Sequence, residues 1–256
     1  MSRDKAASLR MKPREHLDHP ERKRALNRAI FTLIAPEYDR VSRRLSFGRD
    51  AAWKDRLVAG LPAWTAPRCL DLACGTGGLT ERIARRYPRG QVVGLDLTPD
   101  MIALARARVR LPNVAFAVGD MVETGRPAAS ADLVTGGYAL RNAPELDAAI
   151  REIHRILRPG GMAVFLDFSK PADCLVSRAQ WALLKTWGSF WGLVLHGNPS
   201  VYGYIADSLA RFPDRVALQA RFARAGFVDR GATDAMGGMI RISRFEKQHP
   251  TPGARP

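Results

Sequence analysis

Cysteine is scarce: Cys69, Cys74 and Cys174 are the only three in 256 residues, with no CxxC pair among them. That excludes a disulfide scaffold and a cysteine-based zinc site, and fits reduced thiols. The five histidines (His16, His19, His154, His196 and His249) have no ligand spacing with cysteines or carboxylates, so no metal is expected. No run approaches the ~18 apolar residues that mark a membrane span. The charged N-terminus lacks the apolar stretch of a secretory signal, so the expected location is the cytoplasm, at most peripheral to the inner face of the membrane. Acidic residues are also few, 25 against 40 lysines and arginines, leaving a net charge of +15. Such an excess favours an anionic partner, whether nucleic acid, acidic lipid or an anionic ligand. The arginines are nevertheless scattered, as general surface decoration would be.

What is present is a regular alternation. Residues 1–25 are basic and aperiodic, which predicts a flexible arm. Residues 26–62 are helical in pattern, with Ile30, Phe31, Leu33 and Ile34 and then Trp53 and Leu57, and are expected to form lid helices. From 63 to 245 short apolar runs alternate with amphipathic helices. The expected strands are Arg68–Leu72, Val92–Leu97, Val114–Val118, Asp132–Thr135 and Met162–Asp167, with a closing pair at Phe227–Thr233 and Met239–Arg244. Helices are expected at Gly78–Tyr87, Asp100–Arg110 and Pro144–Leu157, the last stopped by a turn at Arg158-Pro159-Gly160-Gly161. This order predicts an α/β fold of Rossmann-like type, with a mostly parallel seven-stranded sheet and helices on both faces. An aromatic-rich insertion at about 173–212 (Trp181, Trp187, Phe190, Trp191) interrupts it, and residues 246–256 read as a tail.

The first strand runs into Asp71-Leu72-Ala73-Cys74-Gly75-Thr76-Gly77-Gly78 and opens a helix. Ligands of open α/β sheets bind beyond the carboxyl ends of the strands, and Gly75 and Gly77 let the backbone come close to one. A dinucleotide site wants a third glycine or alanine where Thr80 stands. A carboxylate at Asp71 would repel a pyrophosphate but suits the ammonium of a methionine moiety. Asp96 ends the second strand, where its oxygens can accept both ribose hydroxyls. Asp120 follows the third strand, placed for an adenine amino group with Met121 against the ring. Acids after strands one, two and three without a phosphate clamp describe S-adenosyl-L-methionine. Cys74 is read as a small packing residue.

Further motifs resemble those of the ubiquinone/menaquinone biosynthesis C-methyltransferase family, from about residue 30 to 245. They are Ala35-Pro36-Glu37-Tyr38-Asp39, Leu45-Ser46-Phe47-Gly48 with Trp53-Lys54, Leu140-Arg141-Asn142, Asp167-Phe168-Ser169-Lys170-Pro171, and Tyr202-Gly203-Tyr204-Ile205-Ala206-Asp207-Ser208. The chain departs from the pattern at Ser42 (usually Asn), Asp167 (usually Glu), Gly136-Gly137 (often a Ser near the cofactor) and Ser243 (usually His). The resemblance implies a class I S-adenosylmethionine-dependent methyltransferase acting on a ring carbon of a prenylated quinol, a lipid-soluble small molecule. Arg141 is then the candidate to hold a phenolate or polarise a water, Asn142 to orient the ring, and Tyr38 and Asp39 to assist from the lid. With Asp71, Gly75, Thr76, Gly77, Asp96, Asp120 and Met121, Gly137 completes the expected cofactor set.

Two other classes compete. A nucleic-acid methyltransferase fits the charge, but strand four runs into Gly136-Gly137-Tyr138, not the Asn-Pro-Pro-Tyr type motif of adenine methylases, and no cysteine follows as a pyrimidine nucleophile. A cofactor-binding protein without catalysis would have no use for Arg141. The aromatic insertion is expected either to line a prenyl tunnel, to dock on an anionic membrane, or to pack on the domain. The oligomeric state, homodimer included, stays open.

Overall fold

The structure, a computed structural model, describes residues 16–171 and 174–249. One seven-stranded sheet runs through it in the order β3-β2-β1-β4-β5-β7-β6. The strands are β1 (Arg68–Leu72), β2 (Gln91–Asp96), β3 (Val114–Val118), β4 (Ala131–Gly137), β5 (Leu157–Phe168), β6 (Phe227–Ala235) and β7 (Ile240–Lys247). The first five are mutually parallel, and β7 pairs antiparallel with both β5 and β6. Strand order reverses between β1 and β4, which opens a crevice at the carboxyl ends of those strands. The central strands are buried on both faces, so they read as continuous apolar runs.

Helices α1 (Pro20–Ile34), α2 (Tyr38–Leu45) and α3 (Asp50–Ala59) precede the sheet. Helices α4 (Gly78–Arg86), α5 (Pro99–Arg108) and α6 (Leu146–Ile156) connect the parallel strands, and α9 (Arg215–Arg224) leads into β6. Between them, α7 (Cys174–His196) and α8 (Ser200–Arg211) occupy the expected insertion. They pack closely through glycine: a Cβ on Gly188 would lie 2.7 Å from the Tyr202 carbonyl, and one on Gly192 2.6 Å from that of Asn198. The lid is an apolar cluster of its own, with Leu26, Ile30, Ile34 and Val41 against Val201, Tyr202 and Tyr204.

Three boundaries differ from expectation. Residues 20–25, read as part of a flexible arm, are the first turns of α1. Pro20 presets its first position, and Arg24 ties it down by donating to Asp120 at 2.6 Å. Arg158-Pro159-Gly160-Gly161 does not precede the strand but lies within β5, as the irregularity between Leu157, paired with Ala131, and Met162, paired with Leu133. β7 reaches Lys247, whose Nζ donates to the carbonyls of His154 and Leu157, so the expected tail begins later than 246. Residues 1–15 of the expected arm, residue 173 of the insertion and residues 250–256 of the tail lie outside the described residues. No helix among the described residues is long and apolar enough to cross a membrane.

Candidate active site

A large cavity lies over the carboxyl ends of β1 to β5, roofed by α1–α3 and by α7 and α8. Gly75, Asp96, Asp120, Met121, Gly137, Tyr38, Arg141 and Asn142, all expected from sequence, line it. Asp71, Thr76, Gly77 and Asp39 do not.

On the cofactor side, Gly75 and Gly77 have positive φ (54° and 80°), a conformation that glycine adopts without strain. A Cβ at Gly77 would sit 2.9 Å from Phe116, so this glycine serves packing rather than ligand contact. At Gly75 a Cβ would meet only the Tyr38 ring, 3.6 Å away, which leaves the loop open toward the cavity. Asp96 accepts the Gly75 N–H and the Thr98 N–H, one on each oxygen at 2.9 Å, and burial raises its pKa. A carboxylate has about four acceptor positions. Two therefore remain for a vicinal diol. Asp120 accepts from the Val122 N–H at 3.0 Å as well as from Arg24. The nucleoside half of S-adenosylmethionine thus fits the residues present.

Asp71 corrects an expectation. It is fully buried behind the loop, where its oxygens accept from the hydroxyls of Thr80 (2.6 Å) and Thr135 (2.8 Å). Thr80, the residue that broke the dinucleotide pattern, is there to hold this carboxylate. Burial raises the Asp71 pKa to about 6 against the opposing pull of the two hydroxyls. A carboxyl whose folded pKa is raised gives stability that is full below its unfolded value near 3.8 and is lost as pH rises through about 6. Wild type is therefore expected to lose on the order of 2 kcal/mol relative to Asp71→Asn between pH 4.5 and 7.5. Parallel melting-temperature curves for the two proteins over that range would show that Asp71 does not titrate there.

On the acceptor side, a 3-10 turn (Leu140–Asn142) after β4 carries Arg141 and Asn142 into the buried region. Arg141 is 4% exposed, its Nε lies 3.7 Å from Asp167 Oδ1, and it donates to the Ser208 hydroxyl. Its guanidinium lies 5.4 Å from the Phe168 ring centroid and 5.7 Å from that of Tyr204. The buried Nε has no hydrogen-bond partner. That atom is sealed beside the Asp167 carboxylate, which holds the guanidinium there by charge rather than by a hydrogen bond. Asn142 donates to the Tyr138 carbonyl at 2.9 Å and accepts from the Tyr204 hydroxyl. Its backbone carbonyl accepts from Asn27 at 2.7 Å.

Asp39 is a second correction. It is surface-exposed and accepts from Thr76 (2.7 Å) and Arg108 (2.8 Å), so it latches α2 to the glycine loop and α5. Thr76 is likewise spent on this latch. Tyr38, one residue earlier, faces the cavity, and burial raises its pKa above the phenol range. Sequence reasoning missed Asn27, Asp50, Tyr138 and Tyr204, all of which line the cavity. It also missed Lys23, pushed down to about 8 by burial and then by the charge of Arg141. Burial pushes the Cys74 thiol up, in keeping with a packing role.

The sequence pattern of the ubiE/COQ5 methyltransferase family matches residues 19–247. The chain is 36% identical over 225 residues to a 2-phytyl-1,4-naphtoquinone methyltransferase of Thermosynechococcus vestitus, covering 86% of this chain and 98% of that one. It is 38% identical over 201 residues to a demethylmenaquinone methyltransferase of Thermus thermophilus, covering 77% and 91%. Among solved structures, a SAM-dependent methyltransferase of Thermotoga maritima shares the fold at a TM-score of 0.62 and 18% identity, over 86% of this chain and 99% of that one. Another from Mesorhizobium loti gives 0.58 and 19%, over 77% and 98%.

Proposed function

Since the chain belongs to the ubiE/COQ5 methyltransferase family, we propose that this S-adenosylmethionine-dependent methyltransferase alkylates a ring carbon of a prenylated naphthoquinol, of the demethylmenaquinol kind. The relatives named for naphthoquinone rings favour that acceptor over a benzoquinol. The observation that carries the reading is Arg141, a buried cation lining an otherwise mostly apolar cavity.

The bound cofactor supplies an electrophilic sulfonium methyl. Everything else is alignment and electrostatics from the chain. A quinol carbon becomes a good nucleophile once a neighbouring hydroxyl gives up its proton, and the fixed charge of Arg141 favours the resulting oxyanion. The Asp167 carboxylate sits beside the guanidinium and also accepts the Arg141 backbone N–H at 3.1 Å, which fixes the residue at both ends. Asn142, pinned by Tyr204 and the Tyr138 carbonyl, presents a rigid amide edge beside the ring. Phe168, Leu183, Leu184 and Trp187 continue the lining away from the polar end, as a prenyl tail requires.

The tail's exit also bears on where the enzyme works. Along α7, Phe190, Leu193 and Val194 share an exposed apolar side. Phe47, half exposed and part of the cavity lining, stacks on Trp187 at 5.5 Å, and Trp187 on Phe190 at 5.9 Å. Arg43, Arg44 and Arg49 are exposed on the same loop and helix as Phe47. An apolar face with a basic collar suits an anionic bilayer, and the net positive charge disfavours a second copy there. The test is transfer of labelled methyl to demethylmenaquinol held in anionic or neutral vesicles, to a benzoquinol, and to RNA. Labelling of the naphthoquinol, fastest in anionic vesicles and suppressed by salt, is expected. Labelled RNA with an unlabelled quinol would overturn the acceptor, and equal rates in both vesicles would overturn the role of the basic collar.

A further inference from the structure

Four strands that neighbour one another in the sheet, β3, β2, β1 and β4, meet the cavity in that order. Asp120 follows β3 and Asp96 ends β2, which assigns the adenine and ribose to that half. The remaining end of the cofactor, an amino acid with ammonium and carboxylate, would then fall on the β1 and β4 side of the cavity, where Gly75, Gly137 and Tyr138 line it. Asp71 is not available there, because it is sealed behind the loop by two threonine hydroxyls.

A different pair occupies that corner. Asp50 lines the cavity from the first turn of α3 and accepts from Lys54 Nζ at 2.7 Å and from the Tyr138 hydroxyl at 2.9 Å. Lys54 stands behind that lining rather than in it, and borders it at Gly137: its Cε lies 3.9 Å from where a Gly137 Cβ would be, and its Nζ 3.7 Å from a Gly78 Cβ. Both side chains are mostly buried, at 16% and 14% exposure. Neither is saturated. Two of roughly four acceptor positions on Asp50 are used, and one of three donors on Lys54. Tyr138 also holds a left-handed backbone at φ 60°, unusual for a bulky residue, to place its hydroxyl on Asp50. Such strain persists where the surroundings enforce it, and it gathers at ligand sites.

We propose that Asp50 and Lys54 bind the ammonium and carboxylate of the cofactor's methionine end, with Tyr138 positioning Asp50. An adjacent pair of opposite charges is the mirror image of a zwitterion, so each ligand charge meets an unsaturated partner of the other sign. Helix α3 is then part of the cofactor site as well as of the lid. The inference rests on the cofactor and not on the quinol reading, because every measurement below omits the acceptor.

Binding of S-adenosylhomocysteine and of 5′-methylthioadenosine, which has the nucleoside and thioether but no amino acid, separates the roles by calorimetry. Wild type is expected to prefer the former. Lys54→Met and Asp50→Asn are expected to weaken S-adenosylhomocysteine about 10-fold while leaving methylthioadenosine unchanged, and Lys54→Arg to retain most of the affinity. Equal losses for both ligands, or none for either, would make the pair an ordinary helix ion pair. Equal wild-type affinity for the two ligands would overturn the proposal even if the variants fail to fold.

Discussion

Arg141→Lys is expected to lower turnover on a naphthoquinol at least about 100-fold, the contribution of one positioned electrostatic or proton-transfer group. The substitution keeps a charge but replaces a planar fork by a compact, strongly hydrated ammonium. In the wild type that fork donates to Ser208, faces the rings of Phe168 and Tyr204, and keeps one N–H unpartnered. A lysine gathers its three donors on one atom, so it does not reproduce the separated, coplanar donors of the guanidinium. Burial also lowers a lysine pKa, which drains the charge the step needs. Deprotonation of the acceptor is the step being helped, so part of the lost rate should return as pH rises and the quinol ionises unaided. The pH profile of kcat for both proteins reads this directly. Loss of the Ser208 contact should cost about 1–2 kcal/mol of stability, while S-adenosylhomocysteine affinity should hold, since Asp96 lies two strands away from β4. Near-normal turnover in the folded variant would reduce Arg141 to the structural partner of Asp167. A parallel loss of cofactor affinity would put it on the wrong ligand.

The second large effect is expected at Asp96. Asp96→Ala should weaken S-adenosylhomocysteine roughly 10- to 150-fold, as for losing hydrogen bonds worth about 1.5–3 kcal/mol to a charged acceptor. Part of that loss comes through the protein itself. The carboxylate anchors the Gly75 and Thr98 N–H groups, so its removal also frees the glycine loop. Asp96→Asn keeps one oxygen for the backbone and separates the two contributions: a smaller loss than for alanine is expected. Calorimetry that finds alanine affinity unchanged would remove Asp96 from the ribose.

The sheet was legible because its central strands are short apolar runs buried on both faces, and helices follow β1, β2 and β4. Asp96 was legible for a related reason: the last residue of a parallel strand must face the crevice or the loops around it. Asp71 ends a strand as well, yet its fate depends on Thr135, 64 residues away on β4, which no local pattern discloses. The contrast of Tyr38 with Asp39 comes from helix phase. Consecutive helical residues point about 100° apart, so only one of the two can enter the cavity. The first turns of α1 escaped notice because residues 21–24 are all charged, and the helix completes its apolar face only in the lid cluster with α8. Asp50 and Lys54 at i, i+4 look like any surface ion pair until Tyr138 and Gly137 are seen beside them.

The contact between α1 and α8 has a consequence for synthesis. The bond from the Tyr204 hydroxyl to Asn27 joins residues 177 apart. At ~5–20 residues per second, the lid helix emerges on the order of 10–35 s before its partner. During that interval Leu26, Ile30 and Ile34 lack the Val201, Tyr202 and Tyr204 half of their cluster and have only Met101 of α5 to pack on, while β1 to β5 and their helices can already close on one another. The nascent chain therefore builds its cofactor cradle first and acquires a closed pocket for the acceptor only once α8 has emerged.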